Sequence, residues 1–235
     1  MISDWAVEPP HFFINFKAYI YGREALKFSK EAERISQKYR VPIVVIPQII
    51  DIAKIAEETS LPVFAPHMDA IKPGRGVGTV LPEAVKEAGG VGVMLNHVER
   101  RIPLNVIAKS IERADEVGLV TLVLADKLED MITIAKMGPN IMGTEPPALI
   151  GTGKSVARMN KDFVSKSVAT IKKINPKIKV GCGAGNVSGE DVAEIIRLGA
   201  EGTGATSGIL KAKNPTQVLD EMVKSLRYAW DEKNK

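Results

Sequence analysis

Residues 119–143 read LVTLVLADKLEDMITIAKMGPNIMG, and this stretch decides the class of fold. It begins with a continuous apolar run, Leu119–Ala125, of the kind that forms a strand buried on both faces of a parallel sheet. A segment of helical period, Leu128–Lys136, follows it, and Asn140–Gly143 then predicts a second strand. The stretch therefore predicts a strand–helix–strand unit whose two strands run parallel.

The same alternation continues in both directions along the chain. Six more short runs predict strands, several of them continuously apolar, at Phe12–Asn15, Ile43–Pro47, Pro62–Ala65, Val91–Leu95, Ile178–Gly181 and Glu201–Gly204. Between and after them lie segments of helical period, at Arg23–Tyr39, Ile49–Glu58, Pro82–Glu87, Leu104–Glu116, Lys161–Ile174, Gly189–Leu198 and Pro215–Tyr228. Each predicted strand is thus followed by a predicted helix.

Local signals support several helix ends. Gly118 and Gly199 stand where glycine commonly terminates a helix, after the fourth and seventh helices. Ser188 is expected to cap the helix that begins at Gly189, with Asp191 completing a capping box. The charged tail, residues 231–235, is expected to be frayed.

Eight strand–helix units in 235 residues predict an α/β protein, a (β/α)8 barrel with short loops. The alternative is an open, doubly wound sheet, which would favour a glycine fingerprint in its first turn. Residues 15–19, NFKAY, contain no glycine and so favour the barrel. No linker or change of composition divides the chain, and we expect one domain over residues 1–235.

The composition is that of an ordinary globular protein, with 45% hydrophobic and 26% charged residues. These fractions exclude collagen, coiled coils and intrinsic disorder. The net charge of +4 is spread along the chain and aromatic residues make up only 5%, so we expect no nucleic-acid partner.

The sequence also bears on the compartment. No apolar run reaches the ~18 residues that a membrane span needs, so we expect no membrane partner. Residues 1–10 lack the basic segment and apolar core of a signal peptide. Cys182 is the one cysteine and leaves no intrachain disulfide, which favours a reducing compartment and a cytoplasmic location.

In a barrel of this kind the functional residues lie just after the strands. Asn15 and Lys17 follow the first strand, and in an extended chain both side chains would point the same way, as needed to hold an anion. His97 follows the fourth strand, and Glu99 could pair with Lys17. The alternatives are a solvated lysine and a structural histidine.

The segment 144–153, TEPPALIGTG, follows the sixth strand. A carboxylate, Glu145, precedes two prolines and a Gly-Thr-Gly tip, and this order is typical of a hinged lid over a base. An ordinary surface loop is the alternative.

Two glycine-rich turns, residues 181–186 (GCGAGN) and 204–208 (GATSG), follow the seventh and eighth strands. In barrels this position often binds phosphate through backbone N–H groups, so the turns favour a phosphorylated ligand. Cys182 has no basic neighbour in sequence and is interpreted as a small core residue. No histidine, cysteine or carboxylate group has metal-ligand spacing, and we expect no metal.

Taken together, four motifs resemble the triosephosphate isomerase family, in the family's order and over almost the whole chain. They are Asn15-Phe16-Lys17, Asn96-His97-Val98-Glu99-Arg100, Thr144-Glu145-Pro146-Pro147 and Cys182-Gly183-Ala184-Gly185. The lid sequence and the short chain are similar to the compact archaeal branch. The resemblance implies a TIM barrel that interconverts D-glyceraldehyde 3-phosphate and dihydroxyacetone phosphate in glycolysis and gluconeogenesis, without a cofactor, as a cytoplasmic dimer or tetramer.

The resemblance also implies a role for each motif residue. Glu145 would be the base, and His97, as a neutral imidazole, would be the electrophile. Both assignments come from the mechanism that is general for this family. Lys17 would stabilise the negative charge of the enediolate, with Glu99 orienting Lys17. The residues implied to contact substrate are Asn15, Lys17, Ile150, Gly185, Thr206 and Ser207.

The sequence departs from the family around this set. Val98 replaces the family's serine after the histidine, and Thr203 and Gly204 stand where archaeal relatives are more apolar. These differences leave two alternatives open: an isomerase for another short sugar phosphate, or a non-catalytic phosphate-binding barrel.

Overall fold

A computed structural model describes residues 8–235 of the chain. The first seven residues lie outside the described part. They make up most of the segment, residues 1–10, in which no signal peptide is expected. The prediction of one domain over residues 1–235 stays a prediction for the same reason.

Eight parallel strands form the barrel wall. They are β1 His11–Asn15, β2 Ile43–Ile46, β3 Phe64–Ala65, β4 Gly92–Leu95, β5 Val120–Ala125, β6 Ile141–Thr144, β7 Lys179–Cys182 and β8 Gly202–Gly204. Hydrogen-bonded neighbours follow the order β2-β1-β8-β7-β6-β5-β4-β3. A parallel bridge between Val45 and Val63 joins the two ends of this order, so the sheet closes on itself. The predicted (β/α)8 barrel is confirmed.

The described residues form ten helices. They are α1 Gly22–Tyr39, α2 Ile52–Glu58, α3 Pro82–Glu87, α4 Leu104–Val117, α5 Leu128–Met137, α6 Val156–Met159, α7 Lys161–Ile174, α8 Gly189–Arg197, α9 Ser207–Leu210 and α10 Pro215–Lys233. Short 3₁₀ turns cover Ile49–Asp51 and Pro147–Leu149. None of the helices in residues 8–235 combines the length and the apolar character that a membrane crossing requires.

The helix ends agree with the local signals except at the C-terminus. Gly118 follows α4 in the left-handed conformation, and Ser188 and Asp191 form the predicted capping box of α8. The expectation of a frayed tail is wrong, because α10 continues to Lys233. Lys233 Nζ donates a hydrogen bond to the Gly199 carbonyl at 3.1 Å, and this contact ties the last turn of α10 to the turn between α8 and β8.

Side chains inside the barrel are separated from those between the sheet and the helices. The interior cluster comprises Val44, Ile46, Phe64, Met94, Val120, Leu122, Leu124 and Ile141. Space in it is tight: a Cβ on Gly143 would lie 2.3 Å from a methyl carbon of Leu124. Because large and small residues fill the interior, the polar groups that follow the strands are left at the open, carboxyl end of the barrel.

Candidate active site

A cavity of about 260 Å³ opens at the carboxyl ends of the strands. Most of the residues predicted to act on a ligand line it together, namely Lys17, His97, Glu99, Glu145, Ile150, Gly185, Thr206 and Ser207. Asn15 is not among the lining residues. Five separate loops therefore meet at one place, as the positions after the strands predict.

Lys17 reaches the cavity from a left-handed turn, with φ 49°, and not from an extended strand. The expectation that Asn15 and Lys17 point the same way in an extended chain is wrong in this respect, since β1 ends at Asn15. The Asn15 side-chain oxygen instead accepts a hydrogen bond from the Lys17 backbone N–H at 2.9 Å. The Gln48 side chain donates to the Lys17 carbonyl from the other side. Asn15 and Gln48 thus hold the backbone that presents the ammonium group.

The Lys17 ammonium pairs with Glu99, as the sequence suggested. Lys17 Nζ lies 2.6 Å from Glu99 Oε1, and the exposed fractions of the two side chains are 15% and 57%. The carboxylate reaches in from the loop after β4, while the lysine comes from the loop after β1. This pair links the two loops and orients the ammonium group in the cavity wall.

His97 is buried, and its tautomer follows from one hydrogen bond. The backbone N–H of Glu99 donates to His97 Nδ1 at 3.1 Å, so Nδ1 carries a lone pair and the ring proton lies on Nε2. Burial is the main reason that the pKa of His97 is lowered to about 4. The positive charge of Lys17 also lowers this pKa, and its effect is larger than the opposite effect of the Glu99 carboxylate. His97 is therefore a neutral imidazole whose Nε2–H can donate into the cavity.

Asn96 begins one of the four motifs, but its role was not predicted from the sequence. It adopts the left-handed conformation, with φ 60°, and is buried. Its side chain donates to the Leu124 carbonyl at 2.9 Å and accepts from the Ile102 N–H at 3.1 Å. Asparagine is enriched in this conformation, which is the signal that could have identified it. Asn96 fixes both ends of the loop that carries His97 and Glu99.

Glu145 follows β6 and lies opposite His97. Glu145 Oε2 is 3.9 Å from His97 Nε2. Partial burial raises the pKa of the Glu145 carboxyl, the nearby Lys17 ammonium lowers it, and the Glu99 carboxylate raises it. The carboxylate lies over Gly183, where a Cβ would be 2.7 Å from Oε1. With glycine at position 183 the Glu145 carboxylate can occupy this space, and a larger residue would displace it.

The segment after Glu145 has the form expected of a lid. Pro147–Leu149 make a 3₁₀ turn, and Gly151 and Gly153 adopt left-handed φ values of 73° and 71°. The far end of this segment packs on the loop after β7, since a Cβ on Gly185 would lie 2.0 Å from the Lys154 carbonyl oxygen. Gly185 is thus required for close contact between the two loops.

Cys182 is buried in β7, which agrees with its interpretation as a core residue. Burial raises the pKa of its thiol to about 12, with a smaller contribution from Glu145, so the thiol is not ionised near neutral pH. Within residues 8–235, no group of three or more histidine, cysteine or carboxylate side chains is arranged to hold a metal ion.

Comparisons with known proteins agree with this geometry. The model of the triosephosphate isomerase family matches residues 10–224. The triosephosphate isomerase of Methanobacterium bryantii is 41% identical over 221 residues, which cover 93% of this chain and 98% of that protein. The triosephosphate isomerase of Sulfolobus acidocaldarius is 39% identical over 229 residues, covering 97% and 99%. That of Methanocaldococcus jannaschii is 39% identical over 213 residues, covering 90% and 97%.

The barrel and the residues at its mouth, together with these matches, place the chain among the (β/α)8-barrel isomerases. Within that class, the chain belongs to the triosephosphate isomerase family. The predicted family and the predicted class of enzyme are confirmed.

Proposed function

We propose that this chain interconverts D-glyceraldehyde 3-phosphate and dihydroxyacetone phosphate, with Glu145 as the base and no cofactor. The observation that carries the proposal is the placement of Glu145 Oε2 3.9 Å from the protonated Nε2 of His97. A carboxylate base and a neutral hydrogen-bond donor face one small volume, as an enolisation requires. The names of the relatives support the choice of substrate.

The chemistry divides among three side chains. Glu145 removes the proton from the carbon beside the carbonyl group, while His97 Nε2–H donates to the carbonyl oxygen and stabilises the negative charge that develops there. His97 gives its Nε2 proton to that oxygen and takes the hydroxyl proton from the neighbouring oxygen, so that the hydroxyl and carbonyl groups exchange places. Glu145 then returns its proton to the other carbon, and every proton is accounted for. Lys17, oriented by Glu99, offsets the negative charge of the intermediate. The raised pKa of Glu145 suits a base that must also return its proton.

The substrate phosphate would bind at the opposite side of the same cavity. We assign it to Ile150, Gly185, Thr206 and Ser207, which line the same cavity as Lys17, while Asn15, outside this lining, supports the Lys17 backbone. The lid of residues 146–155 would close over the bound substrate and exclude water, which protects the enediolate from side reactions.

We also infer that the protein is a cytoplasmic homo-oligomer, a dimer or tetramer, in glycolysis and gluconeogenesis, with no membrane or nucleic-acid partner. Exposed apolar side chains support self-association: Val77 is fully exposed at the tip of the loop after β3, and Ile50 is 87% exposed after β2. We expect a partner subunit to cover these two side chains. Light scattering at several protein concentrations tests this inference.

A coupled assay with each triose phosphate tests the proposed activity. We expect turnover in both directions by the wild type and a large loss in Glu145→Asp, because the shorter side chain withdraws the carboxylate from the reacting carbon. A panel of other short sugar phosphates distinguishes the alternative isomerase. Binding of 2-phosphoglycolate in calorimetry, without turnover of any sugar phosphate, would contradict the proposal and favour a non-catalytic barrel.

A further inference from the structure

Three buried polar side chains form a hydrogen-bonded chain behind the cavity. Ser155, Asn186 and Thr203 have exposed fractions of 0%, 3% and 1%. Ser155 Oγ donates to Asn186 Oδ1 at 2.9 Å, and Asn186 Nδ2 donates to Thr203 Oγ1 at 3.0 Å. Asn186 Nδ2 also donates to the Gly204 carbonyl at 2.9 Å. Buried polar groups that are fully paired in this way hold their elements rigidly in one arrangement.

The orientation of the Asn186 amide follows from its partners. The Gly204 carbonyl can only accept, so the NH₂ group of Asn186 must face β8 and its oxygen must face Ser155. The Ser155 hydroxyl gives its one proton to that oxygen and at the same time accepts the Ala157 N–H at 3.2 Å, which caps α6. Every hydrogen bond in the chain therefore has a defined direction, and no other amino acid of similar size satisfies all of them.

These hydrogen bonds join two loops and one strand that meet at the cavity. Ser155 ends the lid, Asn186 follows Gly185 in the loop after β7, and Thr203 lies in β8, ahead of the loop that carries Thr206. Backbone contacts tighten the same junction. The Val156 N–H donates to the Ala184 carbonyl at 3.1 Å. The Asn186 carbonyl oxygen lies so close to Gly208, in α9, that a Cβ there would be 2.1 Å away.

We propose that Asn186 is a positioning residue that fixes the C-terminal end of the lid against the two loops assigned to the phosphate. The inference rests on the proposed function of this site and extends it to a residue that does not act on the substrate itself. With the Ser155 end held, closure of the lid moves residues 146–154 about a defined anchor and brings the Ile150 backbone to the phosphate. Without this anchor, the lid would close in several positions, and only one of them would bring Ile150 to the phosphate.

The first test is Asn186→Leu, which keeps the number and branching of the side-chain heavy atoms, with a larger volume, and removes all three side-chain hydrogen bonds. We expect KM for dihydroxyacetone phosphate and Kd for inorganic phosphate to rise by about 5- to 100-fold, the range typical of lost buried hydrogen bonds. We also expect kcat to fall. Ser155→Ala should give a similar effect, and the double variant should be no worse than the worse single one, because both remove the same link.

Thr121→Val is a matched control for these variants. Thr121 is a fully buried strand threonine whose hydroxyl lies 3.0 Å from the Asn140 side chain, at the opposite end of the barrel. Thr203→Val and Thr121→Val each remove one hydroxyl from an Asn–Thr pair at constant shape. Both substitutions should lower Tm, but only Thr203→Val should raise KM and the Kd for phosphate. Thr203→Ser, which keeps the hydroxyl, should have wild-type KM and Kd.

Trypsin cleavage after the exposed Lys154 gives a readout that does not depend on turnover. Saturating inorganic phosphate should protect Lys154 in the wild type and in Thr121→Val, and much less in Asn186→Leu. The inference is overturned if Asn186→Leu and Thr121→Val match in KM, in Kd for phosphate and in protection at equal loss of Tm. If Asn186→Leu does not fold, Thr203→Val and Ser155→Ala decide by the same measurements. A wild type that binds phosphate without isomerising triose phosphates would contradict the proposed function, and the phosphate and trypsin results would still decide the role of Asn186.

Discussion

Glu145 and His97 face each other across the mouth of the barrel, with Oε2 of the glutamate 3.9 Å from Nε2 of the histidine. The two side chains come from the ends of β6 and β4, and neither donates to the other at this separation. The Nε2 proton is directed toward the cavity because Nδ1 already accepts the Glu99 N–H. The gap between them is where a carbon–oxygen pair of a small substrate would fit.

His97→Gln tests the electrophile. The amide can still donate a hydrogen bond but cannot place it where the ring does, so we expect kcat to fall by about 10²–10³-fold, as when one donor to a developing oxyanion is removed. KM should change little, because the interaction strengthens only in the transition state. Steady-state kinetics in both directions provide the measurement. A variant with wild-type kcat would assign the carbonyl oxygen to another donor.

Glu99→Gln tests the orientation of Lys17. The Glu99 side chain is 57% exposed, and such surface pairs contribute little to stability, so Tm should hardly change. The activity should fall about tenfold or more, because the ammonium group loses the carboxylate that directs it into the cavity. Thermal unfolding and kinetics on the same preparation separate the two effects. Equal loss of Tm and activity would mean that the pair is mainly structural.

Asn96→Gly tests the loop that carries His97. Glycine accepts the left-handed conformation but removes the hydrogen bonds to Leu124 and Ile102. We expect a loss of about 1–3 kcal/mol in the free energy of unfolding, as for buried groups left without partners, and a fall in kcat. Arg40→Gly is the control, since Arg40 has φ 51° at the exposed end of α1 and lies outside the cavity. A similar fall in kcat in both variants would count against the interpretation.

His11 makes the stability depend on pH. Its ring is fully buried in β1, and burial together with the charge of Lys179 lowers its pKa from 6.5 to about 3. Below pH 6.5 the unfolded chain binds a proton that the folded chain does not. The contribution of His11 to stability therefore falls by about 1.4 kcal/mol per pH unit as the pH drops from 6.5 toward 3.

Urea unfolding of the wild type and of His11→Leu over this range measures the effect. The variant lacks the titrating ring, so its free energy of unfolding should decline less steeply with acid. Parallel curves for the two proteins would show that His11 is not buried as a neutral ring. The comparison is of slopes, because His67 and His97 also titrate with lowered pKa values in both proteins.

Much of the fold can be predicted from the sequence. Each strand lies within two residues of its predicted range, and several of these ranges are apolar because parallel strands buried on both faces require continuous apolar residues. The helices α6 and α9 were not predicted, since four residues are too few to show a helical period. The Lys17–Glu99 pair was foreseen as a possibility, but the left-handed turn at Lys17 was not.

The supporting residues of the site were harder to predict. Asn186 lies 31 positions from Ser155 and 17 from Thr203, and these three meet only when the barrel closes. Thr203 lies between two glycines in β8, and its hydroxyl is the one visible sign of this contact in the sequence. Asn96 likewise forms its hydrogen bonds with backbone groups, and the pattern of side chains in the sequence does not show where those groups lie.

The central claim is that Glu145 removes a carbon-bound proton from the substrate, and hydrogen exchange tests it most directly. Dihydroxyacetone phosphate is incubated in D₂O with the wild type or with Glu145→Gln, and deuterium in the carbon-bound positions is followed by proton NMR. We predict rapid incorporation with the wild type and a rate lower by about 10²–10⁴-fold with Glu145→Gln, the range for loss of a positioned base. Bound 2-phosphoglycolate in both proteins would show that the site is intact. Incorporation at equal rates in the two proteins would contradict the account.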